Sequence, residues 1–293
     1  MAVNGSPTIR RRRLGAELRR LRHAAGMTHQ QVAGRSLAPQ SKISLIETGR
    51  RAINPRDVRD VCELYEVTDE LIVGSLMRMA KESGRQGWWV AYGDVPYGIY
   101  IGMETEAASI HSYEPLVPPG LLQTRAYAAA VTAESNPDIT PEQVAARPEL
   151  RLQRQHRAHH PARPFRLWTI LDESALRRSV GTPDVMREQL QHLNHLSTRP
   201  HITVQVLPDS AGAHPGVSGQ FSILAFSDTD AGVVYLERFT SGDLYLERPA
   251  DRHPYHLMCD HLQAQALGPE QSHRFIGDVL HSRPGPGRLR RVP

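Results

Sequence analysis

The chain has little cysteine, almost no lysine, few aromatics and no long apolar run. Its two cysteines, Cys62 and Cys259, lie in different regions, so neither a disulfide framework nor a paired-cysteine metal motif can be built from them. Both are expected as buried thiols. No apolar stretch is long enough to span a bilayer, and the arginine-rich start lacks the apolar core of a signal peptide. A cytoplasmic, nucleoid-associated protein without membrane contact is expected. No internal repeat is present. Lysine occurs only at Lys42 and Lys81 against 33 arginines, as in a GC-rich genome. That bias does not explain a second shortage, of acids before residue 52. Glu17 and Glu47 stand there against ten Arg and Lys42, a balance of +9, and since the whole chain carries +4 the residues from 52 onward carry −5. A basic head on a mildly acidic body points to a head that meets nucleic acid. Aromatics make up 6% and are unevenly placed: every Trp and Phe, and eight of nine Tyr, follow residue 87.

That change of texture, with the length, favours two domains. Residues 1–9 read as a tail. From Arg10 a helix carries Leu14, Leu18, Leu21 and Ala25 on one stripe and stops at Gly26. Thr28 and Gln31 form a capping box for a second helix with Val32 and Ala33 inward. Pro39 opens a third, with Ile43 and Ile46 inward and Gly49 as its end. Pro55 opens a fourth, with Val58, Val61, Cys62 and Tyr65 inward. A fifth begins near Thr68 and uses Leu71, Ile72 and Leu76. Residues 10–78 thus read as an all-α five-helix domain, 79–87 as a linker that includes the polar Lys81–Gly87 stretch, 88–281 as a mixed α/β (α+β) domain, and 282–293 as a tail. In the larger domain, helices are expected over 124–134, 140–159, 183–196, 252–266 and 269–281. Strands are expected over 165–171, 201–207, 220–226, 232–237 and 244–247.

Met27–Gly49 has the pattern of a helix-turn-helix. A recognition helix enters the major groove with short polar side chains exposed near its start. Gln40, Ser41, Ser44 and Leu45 share the face opposite Ile43 and Ile46: glutamine can bond adenine, serine any base edge, and a leucine methyl the thymine methyl. Lys42, Thr48, Arg50 and Arg51 flank that face and suit phosphates, as do His29 and Gln30 in the first turn of the second helix. On Met27-Thr28, Val32-Ala33, Gln40-Ser41-Lys42-Ile43-Ser44 and Ile46-Glu47-Thr48-Gly49-Arg50, the segment 10–76 resembles the lambda-repressor-like (Xre, Cro/CI-type) helix-turn-helix family. The resemblance implies a transcriptional regulator binding double-stranded DNA. Four residues depart from the family pattern. They are His29 for a usual Gln, Leu37 at a turn position usually held by Gly, Pro39 for a Ser or Thr cap, and Leu45 for a common Arg. A single head buries little groove surface, so a homodimer on a two-fold site is expected, with half-sites about 34 Å apart or a multiple of that.

The larger region shows no catalytic constellation. His253, His256, Cys259 and His261 have a spacing that zinc could use, but a histidine-bearing helix is the ordinary reading, and no metal or cofactor is expected. The loop Asp209–Gly219 is rich in Gly and Ser and could cradle an anion, yet lacks a phosphate-loop lysine and a nucleophile elbow. Glu104, Glu106, Glu114, Asp172 and Glu173 are candidate carboxylates without a diagnostic pairing. Trp88, Trp89 and Tyr92 form an aromatic patch that could anchor a partner or serve as packing. Residues 113–128 (YEPLVPPGLLQTRAYA), 172–178 (DESALRR), 199–224 and 233–247 resemble the domain of unknown function that follows an Xre-type head in many actinobacterial regulators. Such proteins are often encoded beside a small partner protein. The resemblance implies a domain that binds that partner, and supplies no catalytic residue. A small-molecule-responsive regulator, or an antitoxin-like or enzymatic protein with a DNA-targeting head, remain as alternatives.

Overall fold

The computed structural model describes residues 7–35, 39–84, 87–92, 97–135, 140–158, 165–226, 232–237 and 243–283. The chain divides into two compact units, Met1–Glu106 and Ala107–Pro293.

The first unit is all-helical: α1 (Pro7–Ala24), α2 (His29–Arg35), α3 (Gln40–Glu47), α4 (Pro55–Leu64), α5 (Glu70–Ser83), a short 3₁₀ turn (Trp88–Tyr92) and α6 (Gly98–Glu106). Leu14, Leu18 and Leu21 of α1 pack with Val32, Ile43, Ile46, Val58, Cys62, Tyr65, Val73, Leu76 and Ala80 in one core. Ends form as the side chains dictate. The Thr28 hydroxyl accepts from the Gln31 amide (3.2 Å), and the Gln31 side chain accepts from the Thr28 amide (2.8 Å), which completes the capping box. Asn54 and Asp69 cap α4 and α5 by accepting from Asp57 N and Leu71 N, each at 2.8 Å. Gly26 (φ 67°) and Gly49 (φ 70°) end α1 and α3 in the left-handed region.

Four expectations shift. Helix α1 starts at Pro7, not Arg10. Ala25 is exposed beyond its end, and the buried residue after Leu21 is Arg22. In α5 the inward set is Val73, Leu76 and Ala80, whereas Leu71 is 84% exposed and Ile72 also faces outward. The Asp69 cap places Glu70 first in the helix, and the i, i+3, i+7 face that follows runs through Val73. Finally, α5 continues through Lys81–Ser83, so part of the segment expected as a linker is helix. Leu37 lies outside the described residues.

The second unit holds β1 (Ser109–Glu114), α7 (Arg125–Ser135), α8 (Pro141–Ala158), β2 (Arg166–Asp172), α9 (Glu173–Arg177), α10 (Pro183–Leu196), β3 (Ile202–Leu207), β4 (Phe221–Ala225), β5 (Val233–Leu236), β6 (Leu244–Leu246), α11 (Pro249–Gln265) and α12 (Pro269–Ser282). Among the described residues the strands form one mixed sheet in the order β3-β2-β1-β4-β5-β6. Strands β1, β2 and β3 run parallel, and β4, β5 and β6 add antiparallel hairpin-like neighbours. Helix α11 covers one face, where Tyr113, Ile170, Phe221, Ile223 and Val234 meet Cys259 and Leu262. The β3 edge is closed by the chain before α12 and by α12 itself: Leu267 N donates to Val206 O (2.8 Å) and Val206 N to the Ser272 hydroxyl (2.9 Å). Buried Gln189 of α10 accepts from Thr124 N and donates to Leu122 O, which fixes the chain between β1 and α7.

Candidate nucleic-acid interface

Helix α3 has two faces. Ile43 and Ile46 are buried, while Gln40, Ser41, Ser44 and Leu45 are exposed, Leu45 at 39%. The four residues expected to read bases therefore lie together on the solvent side of one short helix. Pro39 occupies the cap position with extended backbone and makes no side-chain cap bond, so the start of α3 carries no capping side chain in front of that face. Arg50 and Arg51 follow directly and are exposed. Among the described residues neither has a carboxylate within ion-pair distance. Thr48 is exposed, but its hydroxyl donates to Ser44 O (2.8 Å). Lys42 is half-buried with Asp57 at 3.9 Å, a contact loose enough to yield to a phosphate.

The start of α2 is arranged differently from expectation. Gln30 is exposed. His29 is half-buried, and its Nε2 lies 2.9 Å from Glu47 Oε2. Glu47 also receives Arg22 Nε (2.7 Å) and Nη2 (2.9 Å), and Arg22 Nη1 donates to Met27 O (2.7 Å). His29 is thereby corrected from a phosphate ligand to one arm of a buried ionic bracket that ties α1, α2 and α3 together. The amides of Thr28 and Gln31 are likewise taken by the capping box, not open to a phosphate. Burial works to raise the Glu47 carboxyl, but hydrogen bonds from Arg22 and His29, with their charges, outweigh it and hold it below the ordinary range. Residue reasoning missed this bracket. The available signal was Arg22 itself, four residues past Leu18 on the apolar stripe.

Two glycines set the approach of α1 to α3. A Cβ on Gly15 would lie 2.7 Å from the Glu47 carbonyl oxygen, and one on Gly49 would lie 2.7 Å from Arg12 Cα. Neither could be accepted without moving backbone.

The three aromatics of the patch contact one another, with Trp88 and Tyr92 half-buried. Trp88 meets Trp89 and Tyr92 edge-on at 6.1 Å each, and Trp88 Nε1 donates to the Thr105 hydroxyl (3.3 Å). Trp89 is 7% exposed and lies against Gly87 and Gly98, which corrects its placement as a partner anchor. In the second unit the candidate carboxylates are engaged. Asp172 caps α9 through Ser174 N and accepts from the Tyr113 hydroxyl (3.1 Å). Glu173 pairs with Arg177 and accepts from Asp209 N. Glu114 is pushed up to about 8 by burial and by Glu237. Cys259 points from α11 into the core, where burial raises its thiol to about 11. Among the described residues no group of three or more His, Cys, Asp or Glu is placed to hold a metal. No helix among them is long and apolar enough to cross a membrane.

Two family models match. The helix-turn-helix domain covers residues 13–72, which contain the caps, the exposed α3 face and most of the core just described, Val73, Leu76 and Ala80 lying beyond it. The other, a domain of unknown function designated DUF5753, covers residues 97–278. No curated protein and no solved structure gives a match. A helix-turn-helix is a DNA-binding element, and here it precedes a mixed α/β unit. The DUF5753 match spans more than half of the chain, and the protein belongs to that family, with a helix-turn-helix domain ahead of it.

Proposed function

We propose that the protein is a sequence-specific transcriptional regulator of the Xre type. It works as a homodimer, and its C-terminal unit binds a small protein partner rather than performing catalysis. The observation that carries this reading is the exposed polar face of α3, with Gln40, Ser41, Ser44 and Leu45 outward, rigidly backed by buried Ile43 and Ile46 and flanked by exposed Arg50 and Arg51. Short polar groups on a fixed helix read base edges, and neighbouring arginines take phosphates. Dimerisation follows from size: one such head covers too little groove for tight, specific binding, and a two-fold pair places two copies of α3 about 34 Å apart or a multiple of that. The partner role rests on the resemblance of the C-terminal unit.

The test begins with genome-wide mapping of bound sites and identification of proteins that copurify. Fluorescence anisotropy on a mapped site then compares the wild type with Gln40→Ala and Ser44→Ala. Each substitution is expected to cost about 1–3 kcal/mol of discrimination against scrambled DNA with an unchanged circular dichroism spectrum. Equal affinities of wild type and both variants for the mapped site would overturn the base-reading assignment. A protein that stays monomeric on its site, or that carries no stoichiometric partner from its own cells, would remove the corresponding clause.

A further inference from the structure

Leu71 is the most exposed large apolar side chain among the described residues, at 84%. It lies in the first turn of α5, with Ile72 beside it at 37%. The helix does not need it for packing, because Val73, Leu76 and Ala80 already form a complete inward face.

Successive residues turn by about 100° around a helix. Glu70, Leu71, Gly74, Ser75, Arg78 and Lys81 therefore share the side of α5 that points away from Val73, Leu76 and Ala80. Five of the six are exposed, and Gly74 is half-buried. This outer face is graded along its length. It begins with an acid, Glu70, just after the capping Asp69. Its middle joins Leu71 to two small residues, Gly74 and Ser75, and its end carries two cations, Arg78 and Lys81. A Cβ on Gly74 would meet only Arg78 Nη1, at 3.6 Å, so another helix can approach closely there. Glu70 reaches Arg59 at 3.6 Å with both side chains more than half exposed, a contact that solvent screens and that leaves the carboxylate available.

An acid at one end, bases at the other and a small-sided apolar middle suit a helix that pairs antiparallel with a copy of itself. A two-fold axis near Gly74 and Ser75 sets Glu70 of one copy opposite Lys81 of the other, and does the same in reverse. Each Leu71 then lies against Ser75 and the Arg78 stem of the other copy. A parallel pair, or a partner of uniform charge, matches only half of this face.

We propose that the outer face of α5, carrying Leu71, is an antiparallel two-fold contact between the N-terminal units of two copies of this chain bound side by side on DNA. The proposal rests on the homodimer reading above and adds the surface that serves it. One helix face is far smaller than the roughly 1,200–2,000 Å² of a stable interface. The contact therefore couples two DNA-bound heads and is not the sole tie of the dimer.

Fluorescence anisotropy on the full chain tests this with two duplexes cut from a mapped site, one holding both half-sites and one a single half-site. Leu71→Gln is expected to weaken binding to the two-half-site duplex by about tenfold, a usual size for coupling between sites. Its affinity for the single half-site and its melting temperature should match the wild type. Glu70→Lys and Lys81→Glu are each expected to weaken the two-half-site duplex relative to the single one, and their combination to restore it, since the swapped charges again face each other. Wild-type coupling in Leu71→Gln would overturn the contact, as would an equal loss on both duplexes, which places the effect within one head. Failure of the combined variant to regain coupling would overturn the antiparallel pairing. In each of these cases the homodimer reading stands. A wild type that gains nothing from the second half-site overturns that reading, and this contact with it.

Discussion

Glu47 does two jobs that belong to different levels of description. Its backbone closes α3 just before Thr48 and Gly49, and its carboxylate anchors Arg22 and His29 beneath the reading face. A buried ion pair contributes little compared with an apolar replacement of both partners, but losing one partner strands the other charge. Glu47→Gln keeps the shape and removes the charge, and is expected to lower the stability of the N-terminal unit by about 3–5 kcal/mol. Its pH dependence has a definite sign. Because the carboxyl is held below its ordinary value in the folded state, the bracket stabilises fully above the unfolded carboxylate pKa, about 4.3, and is lost as pH falls through the lowered folded value. Urea titrations followed by circular dichroism from pH 7 to pH 3 should therefore show the wild type losing stability on the acid side. Glu47→Gln starts lower and loses less. Parallel pH profiles for the two proteins would show that Glu47 is not the titrating group. Removal of this bracket should also loosen α3, so DNA affinity is expected to fall in a residue that never faces the groove.

At the level of elements, the helix-turn-helix was legible because its caps and its apolar period agree. Thr28 with Gln31, Pro39 and Gly49 all fall where the helices start and stop. The register of α5 was not legible, since Leu71 and Ile72 are as apolar as the buried Val73 and only the Asp69 cap decides which face turns inward. The central strand β1 escaped notice for a different reason. Its alternation is masked by polar residues: Ser112 is buried but bonds Thr169 across the parallel pair at 3.0 Å, His111 stacks on Trp168, and Glu114 ends the strand. Polar residues that satisfy one another look, in a sequence, like loop. This yields a double-mutant prediction. Ser112→Ala leaves the buried Thr169 hydroxyl unpaired and Thr169→Val takes one of the partners of Ser112, so each is expected to cost about 1–3 kcal/mol, whereas the double variant costs less than the sum. Strict additivity in urea midpoints would mean the two hydroxyls do not depend on each other. The candidate interface adds a packing constraint of the same kind. Gly15→Ala forces a methyl into the carbonyls that end α3, and is expected to lower the stability of the N-terminal unit by about 1–3 kcal/mol. The same substitution at Gly34, which has open space around it, should be tolerated. Equal midpoints for the two variants would refute the close α1–α3 approach.

For the whole molecule, the unit boundary redistributes the charge. Between residues 52 and 106 the chain has five cations against ten acids, while residues 107–293 have nineteen of each. The C-terminal unit is neutral, and the acidity first assigned to a large body lies within the N-terminal unit itself, much of it on α4 and the start of α5. That unit nets +4, with the +9 of residues 1–51 set against −5. A unit polarised in this way turns its basic end toward a polyanion and its acidic helices away, so part of its orientation on DNA comes from the field rather than from contacts. Phosphate contacts within that field are countable by salt. Each arginine that neutralises a phosphate releases condensed counterions, so log K falls with log salt by roughly 0.9 per contact. Arg50→Gln and Arg51→Gln are expected to flatten the slope by about 1 each, and to weaken mapped and scrambled DNA alike. Gln40→Ala and Ser44→Ala should leave the slope as it is and weaken only the mapped site, because base contacts displace few counterions. Anisotropy titrations between 50 and 200 mM salt, a range over which such contacts change affinity by orders of magnitude, separate the two classes. If the arginine variants kept the wild-type slope, Arg50 and Arg51 would not be phosphate ligands, and the basic face would have to engage DNA through α1 instead, where Arg13 and Arg19 are exposed.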